Sequence, residues 1–343
     1  MYSVTNHRGF IPQNEQFEDR EMVGEDIKSY KIIEYGEFAY NPARINVGSI
    51  ARYIGSEPCM ISSLYVCFKP SNEIDGSFLM QFLKSPKANF YYNANGEGGV
   101  RIYLFYPNFA RIRTAIPSLS EQRKISSLLS IIDERIATQR RLIEDLEKLK
   151  SSLIDRTFSD VDGEVVKYRD ILEVSNLRND GKSNYIILSA SQEFGMIERE
   201  SLDIDIKAEA KSVKTYKRVL PGDYVLHLRS FQGGLAFAEV EGICSPAYTI
   251  LRPNKRLEYG YLKEYFNSSK FIKSLVLVTY GIRDGRSINV EEFLDMNISI
   301  HHKDKQTEIV KSLSNLSDKL NVEASILNRY EQQRNYLLGK LFI

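Results

Sequence analysis

Ile116-Pro117-Ser118-Leu119-Ser120-Glu121-Gln122-Arg123-Lys124-Ile125 leads into a helical pattern that runs without glycine or proline to Phe158. Apolar residues fall at Ile125, Leu129, Ile132, Ile136, Ile143, Leu146 and Leu153. Steps of four and three alternate, which is the period of a coiled-coil seam. Gln139 and Lys150 are polar positions within that seam. Charged residues of both signs occupy the other faces, as on a solvated helix. Ser120 is the expected N-cap, and Pro117 keeps the chain extended ahead of it.

The pattern returns near the end of the chain. Ile300-His301-His302-Lys303-Asp304-Lys305-Gln306 opens a second seam of Ile309, Leu313, Leu316, Leu320, Leu327, Tyr330, Leu337 and Leu341. Adding 184 to each seam position of the first helix gives a seam position of the second. Gln122 maps onto Gln306, Asp133 onto Ser317, Gln139 onto Glu323, Lys150 onto Arg334 and Phe158 onto Phe342. The chain therefore reads as two copies of one unit. Two near-equal helices running antiparallel would bring Gln139 toward Arg334 and Lys150 toward Glu323, and such polar contacts fix register.

The rest of the chain follows the same repeat. Residues 1–116 and 161–298 are two globular segments, separated by helices at 117–160 and 299–343. Ser3–Gly9 is a short strand running into a polar turn, answered by Ser189–Gly195. Tyr30–Tyr40 reads as strand, turn, strand around Gly36-Glu37, answered by Tyr216–Tyr224 around Gly222-Asp223. Ile61–Phe68 reads as one strand, Ser77–Leu83 as a short amphipathic helix, and Asn93–Arg101 as a loop. The second copy carries roughly 25 residues, Val161–Ile186, that the first lacks, so the first globular segment is short at its N-terminal side. The expected class is α+β.

Composition narrows the function. With 343 residues, 43% apolar and 27% charged, the chain is an ordinary globular one. No apolar run approaches the length of a membrane span and no signal-peptide pattern opens the chain, so a cytoplasmic protein is expected. Cys59, Cys67 and Cys244 lack metal-ligand spacing and fit reduced core positions. No phosphate loop, dinucleotide fingerprint, HExxH or GxSxG is present. Asn41-Pro42-Ala43-Arg44 lacks the second proline and the aromatic residue of an amino-methyltransferase site, and Asp203 with Glu209-Ala210-Lys211 lies in a polar run without strand pattern. A non-catalytic chain with no cofactor or metal of its own is expected.

Net charge is +1, so any grip on DNA must come from local clusters. Residue types able to hold bases and phosphates collect on matching loops of the two copies. In the first these are Asn6, His7, Arg8, Tyr40, Asn41, Arg44, Asn46, Arg52 and Arg101. In the second they are Lys214, Tyr216, Lys217, Arg218, His227, Arg229, Ser230, Gln232, Arg283 and Arg286.

Ile116–Ile125, the downstream Ile132-Asp133-Glu134-Arg135-Ile136, and Leu149-Lys150-Ser151-Ser152-Leu153 through Phe158 resemble the conserved region of type I restriction–modification specificity subunits. The second copy matches at Gln306, Ile309, Leu316–Leu320 and Leu337–Phe342, with His301 and Lys305 in place of the proline and glutamate. The resemblance implies two target recognition domains, each reading half of a split, asymmetric site in double-stranded DNA. It implies two antiparallel helices as spacer, each of about 33 residues and so roughly 50 Å. It also implies two methyltransferase subunits docked per chain, with restriction subunits joined through them. S-adenosylmethionine, ATP and magnesium would belong to those partners. A partial or silent specificity subunit and a coiled-coil scaffold without a DNA role are the alternatives.

Overall fold

The computed structural model describes residues 1–16, 27–99, 101–159, 161–181, 185–191, 194–201, 213–227, 230, 234–280 and 287–342. Two long helices are present, Leu119–Ser159 and Lys303–Leu341, at 41 and 39 residues. Contacts divide the chain into two compact units. Unit one holds residues 1–141 and 324–343, and unit two holds residues 142–323. Each unit thus combines one globular segment with part of each long helix.

In unit one, strands β1 (Tyr2–Thr5), β2 (Gly9–Pro12), β3 (Lys31–Ile33) and β6 (Cys59–Ile61) form a sheet in the order β2-β1-β6-β3. Strands β4 (Phe38–Tyr40), β5 (Ile50–Arg52) and β7 (Val66–Phe68) form a second, in the order β5-β4-β7. The expected strand, turn and strand around Gly36 are present, with β3 and β4 in different sheets. The turn between them depends on Gly36, at φ 89°, and on the Glu37 carboxylate, which accepts from Glu34 N–H at 3.0 Å. Ile61–Phe68 is likewise two strands around a turn. Helix Gly76–Leu83 is capped by Asp75, and helix Pro86–Asn95 by Ser85 with proline in its first turn. The second of these is not expected from the sequence, and its last three residues, Asn93–Asn95, fall in the stretch expected to be loop.

In unit two, β8 (Gly163–Lys167) and β9 (Leu172–Ser175) come from the additional 161–186 segment. The repeated part follows as β10 (Leu188–Ser191), β11 (Gly195–Glu198), β12 (Lys217–Val219), β13 (Tyr224–Leu226), β14 (Ala236–Phe237), β15 (Gly242–Cys244) and β16 (Thr249–Pro253). Pairing repeats as well. β12 lies antiparallel to β15 as β3 does to β6, and the parallel Ile187–Ile243 bridge answers Tyr2–Ile61. The Lys217 ammonium donates to Tyr248 O at 2.6 Å, as Lys31 does to Tyr65 O. What differs is the edge. β9 extends β14-β13-β16 by a fourth strand, whereas β7 pairs with β4 alone among the described residues. β8 pairs with β19 (Asn297–His301), while residues 113–117 form no strand. A short hairpin of β17 (Thr279–Tyr280) and β18 (Ser287–Ile288) completes the unit.

Each unit is closed onto its helices by apolar packing and by one buried glutamine. In unit one Leu129, Leu338 and Phe342 join Phe38, Tyr40, Phe78 and Phe82 in the core. In unit two Ile154, Phe158, Ile309 and Leu313 join Tyr168, Tyr261, Phe266 and Phe293. Phe342 packs at a tilt against Phe78 and Phe82, and Phe158 against Tyr261 and Tyr265. Late in each helix the buried residue is Ile154 or Leu338, one place beyond the expected Leu153 and Leu337. A straight helix at 3.6 residues per turn drifts from a seam repeating every 3.5. The first helix is capped by Ser118, whose Oγ accepts from Glu121 N–H, in place of the expected Ser120.

Gln122 and Gln306 sit one turn into the two helices, each almost fully buried. The Gln122 amide oxygen accepts from Asp75 N–H at 2.7 Å, and its nitrogen donates to Glu73 O at 3.0 Å and Pro117 O at 2.9 Å. Gln306 accepts from Glu258 N–H at 2.8 Å and donates to Arg256 O at 3.1 Å and His301 O at 2.8 Å. One side chain therefore ties the helix start to the globular segment through three backbone groups. Replacing Gln122 by Ala strands these groups, and we expect a loss of about 3 kcal/mol. Urea unfolding of the full chain should show a lower midpoint with the slope unchanged.

His301 adds a pH dependence to unit two. Its Nδ1 lies 2.6 Å from the Tyr261 hydroxyl, and burial, with Lys305 nearby, pushes its pKa below the ordinary value while Asp162 opposes the shift. The fold favours the neutral ring, so this contribution is present above the unfolded pKa of about 6.5 and is lost as pH falls below it. A pH series of thermal unfolding should show stability dropping below that point, with a smaller drop in His301→Gln.

Candidate nucleic-acid interface

The side chains singled out in the sequence separate into three groups once burial is known. Asn6, His7, Arg8, Arg44, Arg101 and Lys214 are exposed, and Asn41 and Asn46 are half-buried. Tyr40, Tyr216, His227 and Ser230 are buried. Arg229, Gln232, Arg283 and Arg286 lie outside the described residues.

The buried four are framework, which corrects the expectation that they face a ligand. Tyr40 stands in the core strand β4 against Phe68 and Phe109, where desolvation drives its hydroxyl pKa far up. Ser230 Oγ accepts from His227 N–H at 2.8 Å and closes a tight turn. The His227 ring packs edge-on to Tyr248. The Tyr216 hydroxyl accepts from Arg199 at 3.2 Å, with the Arg199 guanidinium 5.6 Å from the ring centre. An aromatic residue alternating with small ones suits a loop contact and a core strand equally, so pattern alone could not separate them.

Several basic side chains are occupied by protein partners. Arg8 pairs with Glu15 at 2.8 Å in an exposed contact that solvent screens. Arg52 donates to Ser77 Oγ and lies over Tyr35. Arg218 pairs with Glu241 at 2.5 Å and lies over Tyr185, and the carboxylate raises its pKa further. Lys217 is committed to the Tyr248 carbonyl.

In unit one the exposed candidates come together. The β1–β2 turn carries Asn6, His7 and Arg8, and the Asn6 Cβ lies 3.5 Å from the position a Cβ on Gly48 would take. That places it beside the 3-10 turn Ile45–Val47, flanked by Arg44. Asn46 Nδ2 donates to Asn93 Oδ1 at 3.3 Å, joining this turn to the end of helix Pro86–Asn95. Leu104 N–H donates to Pro42 O at 3.0 Å, which brings in the Glu97–Tyr103 turn that displays Arg101. Three turns thus adjoin at one end of the unit. Their backbones are fixed by local bonds such as Asn41 Oδ1 to Ala43 N–H and Thr5 Oγ1 to Arg8 N–H. Asn93 belongs to this cluster and was missed, because its helix read as loop.

In unit two the additional segment contributes. Arg218 N–H donates to Leu177 O and Asn179 N–H to Tyr216 O, so residues 177–179 run beside β12. This puts exposed Arg178 in the group with Lys214. Arg178 was also missed, although the polar run Ser175-Asn176-Leu177-Arg178-Asn179 marked the segment.

The polar seam positions also make contacts that the seam alone does not suggest. Arg334 pairs with Asp133, Lys150 with Glu264 at 2.8 Å, and Glu323 with Lys319 of its own helix. The partners of the two bases involve the globular segments, which a helix-only seam argument leaves out. No cluster of His, Cys, Asp and Glu able to hold a metal occurs among the described residues. The cysteines are free, and burial pushes the Cys244 thiol up to about 12. No helix among the described residues is long and apolar enough to cross a membrane.

Comparison with known proteins places this architecture. A family model for the type I restriction modification DNA specificity domain matches residues 20–148. A Methanocaldococcus jannaschii protein, described as a MjaX type I restriction enzyme specificity subunit, is 21% identical over 342 residues, covering 92% of this chain and 80% of its own. A chain solved in work on complex assembly and conformational transition of the type I R-M system superposes with a TM-score of 0.58 at 17% identity, over 90% of this chain and 82% of that one. The type I restriction–modification S subunit from M. genitalium gives 0.52 at 15% identity, over 91% and 84%. At such identities the structural likeness concerns the fold alone. Residues 20–148 thus match the type I restriction modification DNA specificity domain, and the strand-and-helix segments with the two long helices are similar in fold to those S subunits.

Proposed function

We propose that this chain selects the DNA sequence for a type I restriction–modification complex, with each globular segment reading one half of a bipartite, asymmetric site. The observation that carries this reading is the internal repeat. Two segments with corresponding strand pairs and the same glutamine clamp carry different residues in the sequence between those strands. Two readers with different turns imply two different half-sites. Arg, Asn and His are suited to phosphate and base contacts there, with Arg bridging guanine and Asn adenine. The chain itself carries out no chemistry; methyltransferase subunits, two per chain, would dock on it and supply S-adenosylmethionine. Restriction subunits joined through them would use ATP and magnesium.

The helix faces away from the cores are where docking is best supported. Leu128 and Ile131, with Ser120, Arg123, Lys124 and Ser127, line a shallow apolar depression on the first long helix in unit one. Leu142 and Leu149 are exposed on the same helix in unit two. The repeat-related residues of the second helix are Ser312, Asn315, Ile326 and Gln333, and its exposed apolar residues are Val322 and Tyr336. A partner would therefore bury more apolar area on the first helix than on the second.

Of the alternatives, a partial subunit is disfavoured by the well-filled core of unit one, where Phe38, Tyr40, Tyr92 and Leu104 are essentially inaccessible. The direct test is to co-express the full chain with the methyltransferase subunits and map methylated adenines. The expected motif has two specified parts separated by a fixed unspecified spacer; a contiguous motif, or none, would refute the reading. Arg44→Ala with Arg101→Ala should weaken DNA binding about tenfold and reduce the salt slope by about one per phosphate contact removed. Any relaxation of sequence should fall in one half only. Arg178→Ala should affect the other half.

A further inference from the structure

Each unit holds a three-residue polar contact where the globular segment meets the two helices. In unit one Gln81 Nε2 donates to Asp133 Oδ2 at 3.0 Å, Arg334 Nε donates to Asp133 Oδ1, and Arg334 donates to Gln81 Oε1 at 3.3 Å. In unit two Glu264 pairs with Lys150 at 2.8 Å and accepts from Ser317 Oγ at 3.4 Å. The members correspond through the repeat, Gln81 with Glu264, Asp133 with Ser317, and Arg334 with Lys150. The carboxylate, however, has moved. In unit one the helix supplies it and the globular segment supplies an amide. In unit two the globular segment supplies it and the helix supplies a hydroxyl.

In both units the two residues that share the acid role come from one repeat, and the base comes from the other. All four ion-pair members are at least three-fifths covered, and the bases are 22% exposed, so an uncompensated base is poorly solvated there. The neighbouring charges strengthen the requirement in unit one. Lys84 faces the same contact, its ammonium pKa lowered by burial and by Arg334, and only Asp133 opposes that shift. In unit two Asn267 holds the Lys84 position, and Glu147 lines the same pocket as Lys150 and Glu264.

We propose that Gln81 with Asp133, and Glu264 with Ser317, are coupled positioning pairs. In each pair either residue can supply the carboxylate that seats the globular segment on the base brought by the other repeat's helix. The consequence is a physical unit of exchange. A globular segment transferred alone is separated from its helix partner and arrives with two carboxylates or none. Transferred with the first half of the helix that follows it, up to a joint between residues 142 and 149, it keeps its pair intact. This inference is independent of what the globular segments bind.

Thermal unfolding of the full chain tests it through rescue. Asp133→Ser should lower the melting temperature by about 3–6 °C for a unit of this size. Gln81→Glu added to Asp133→Ser reproduces the unit-two arrangement and should recover most of the loss. The same change in the otherwise natural chain should give less than half that gain. In unit two, Glu264→Gln should be rescued by Ser317→Asp in the same way. Equal effects of Gln81→Glu in both backgrounds, or an Asp133→Ser variant as stable as the natural chain, would overturn the coupling. A merely structural role for either residue predicts additive losses and no rescue.

Discussion

A buried primary amide one turn into each long helix is the interaction on which the rest of the fold depends. Gln122 and Gln306 each satisfy three backbone groups from two different segments. No other side chain of that length does this. Glutamate lacks the donor, lysine the acceptor, and leucine leaves all three groups without partners in a dry site. The amide fixes where the helix begins relative to its own globular segment, and the aromatic residue near the far end of the other helix packs on that segment. Phe342 does this for unit one and Phe158 for unit two. Clamp and aromatic plug together set which stretch of each helix a segment covers.

That frame is indifferent to the turns it displays. Its hydrogen bonds run largely through backbone groups, as in the 44–49 turn, so exposed side chains on that turn vary without disturbing the strands beneath. The exceptions are basic residues drawn into protein contacts. Lys31 and Lys217 hold the tyrosine-turn carbonyls at equivalent places, and Arg252 grips Asp223 through two bonds of 2.8 Å in unit two. Such residues look like DNA contacts in a sequence and behave as struts in the fold. The free positive charge is correspondingly smaller than a count of Lys and Arg suggests, consistent with a chain whose net charge is only +1.

The long helices and the repeat were legible in the sequence because their signal is periodic and local. An offset of 184 links Gln122 with Gln306 and Phe158 with Phe342, and both pairs occupy the same roles in the fold. The polar seam involves more than the two helices. A charged residue among apolar helix positions was matched to the opposite helix, yet the third body in the contact is a globular segment that carries Gln81 or Glu264. Nothing in helical periodicity reports that neighbour. The pairing of β3 with β6 is equally non-local, since a turn such as Gly36-Glu37 fixes a change of direction and not the strand that follows as partner. The buried tyrosines were lost to the same limit, because alternation gives the face of a strand and not which face is covered.

The added segment of unit two joins framework to exposed polar surface. Strand β9 completes the edge of the β14-β13-β16 sheet, and its continuation carries Arg178 and Asn179 along β12. A single insertion therefore does two things at once: it covers a sheet edge that would otherwise offer unpaired backbone groups, and it sets a basic side chain, Arg178, beside β12. In unit one the β7 edge has no such cover among the described residues, and the exposed candidates gather on three turns instead. The two segments share strand pairings and a clamp, but the added segment gives unit two a sheet-edge strand and an exposed Arg178 with no counterpart in unit one. Divergence of this kind is open to a fold whose stability lies in the clamp, the aromatic plug and the sheets, and it is closed to one whose turns also carry the core.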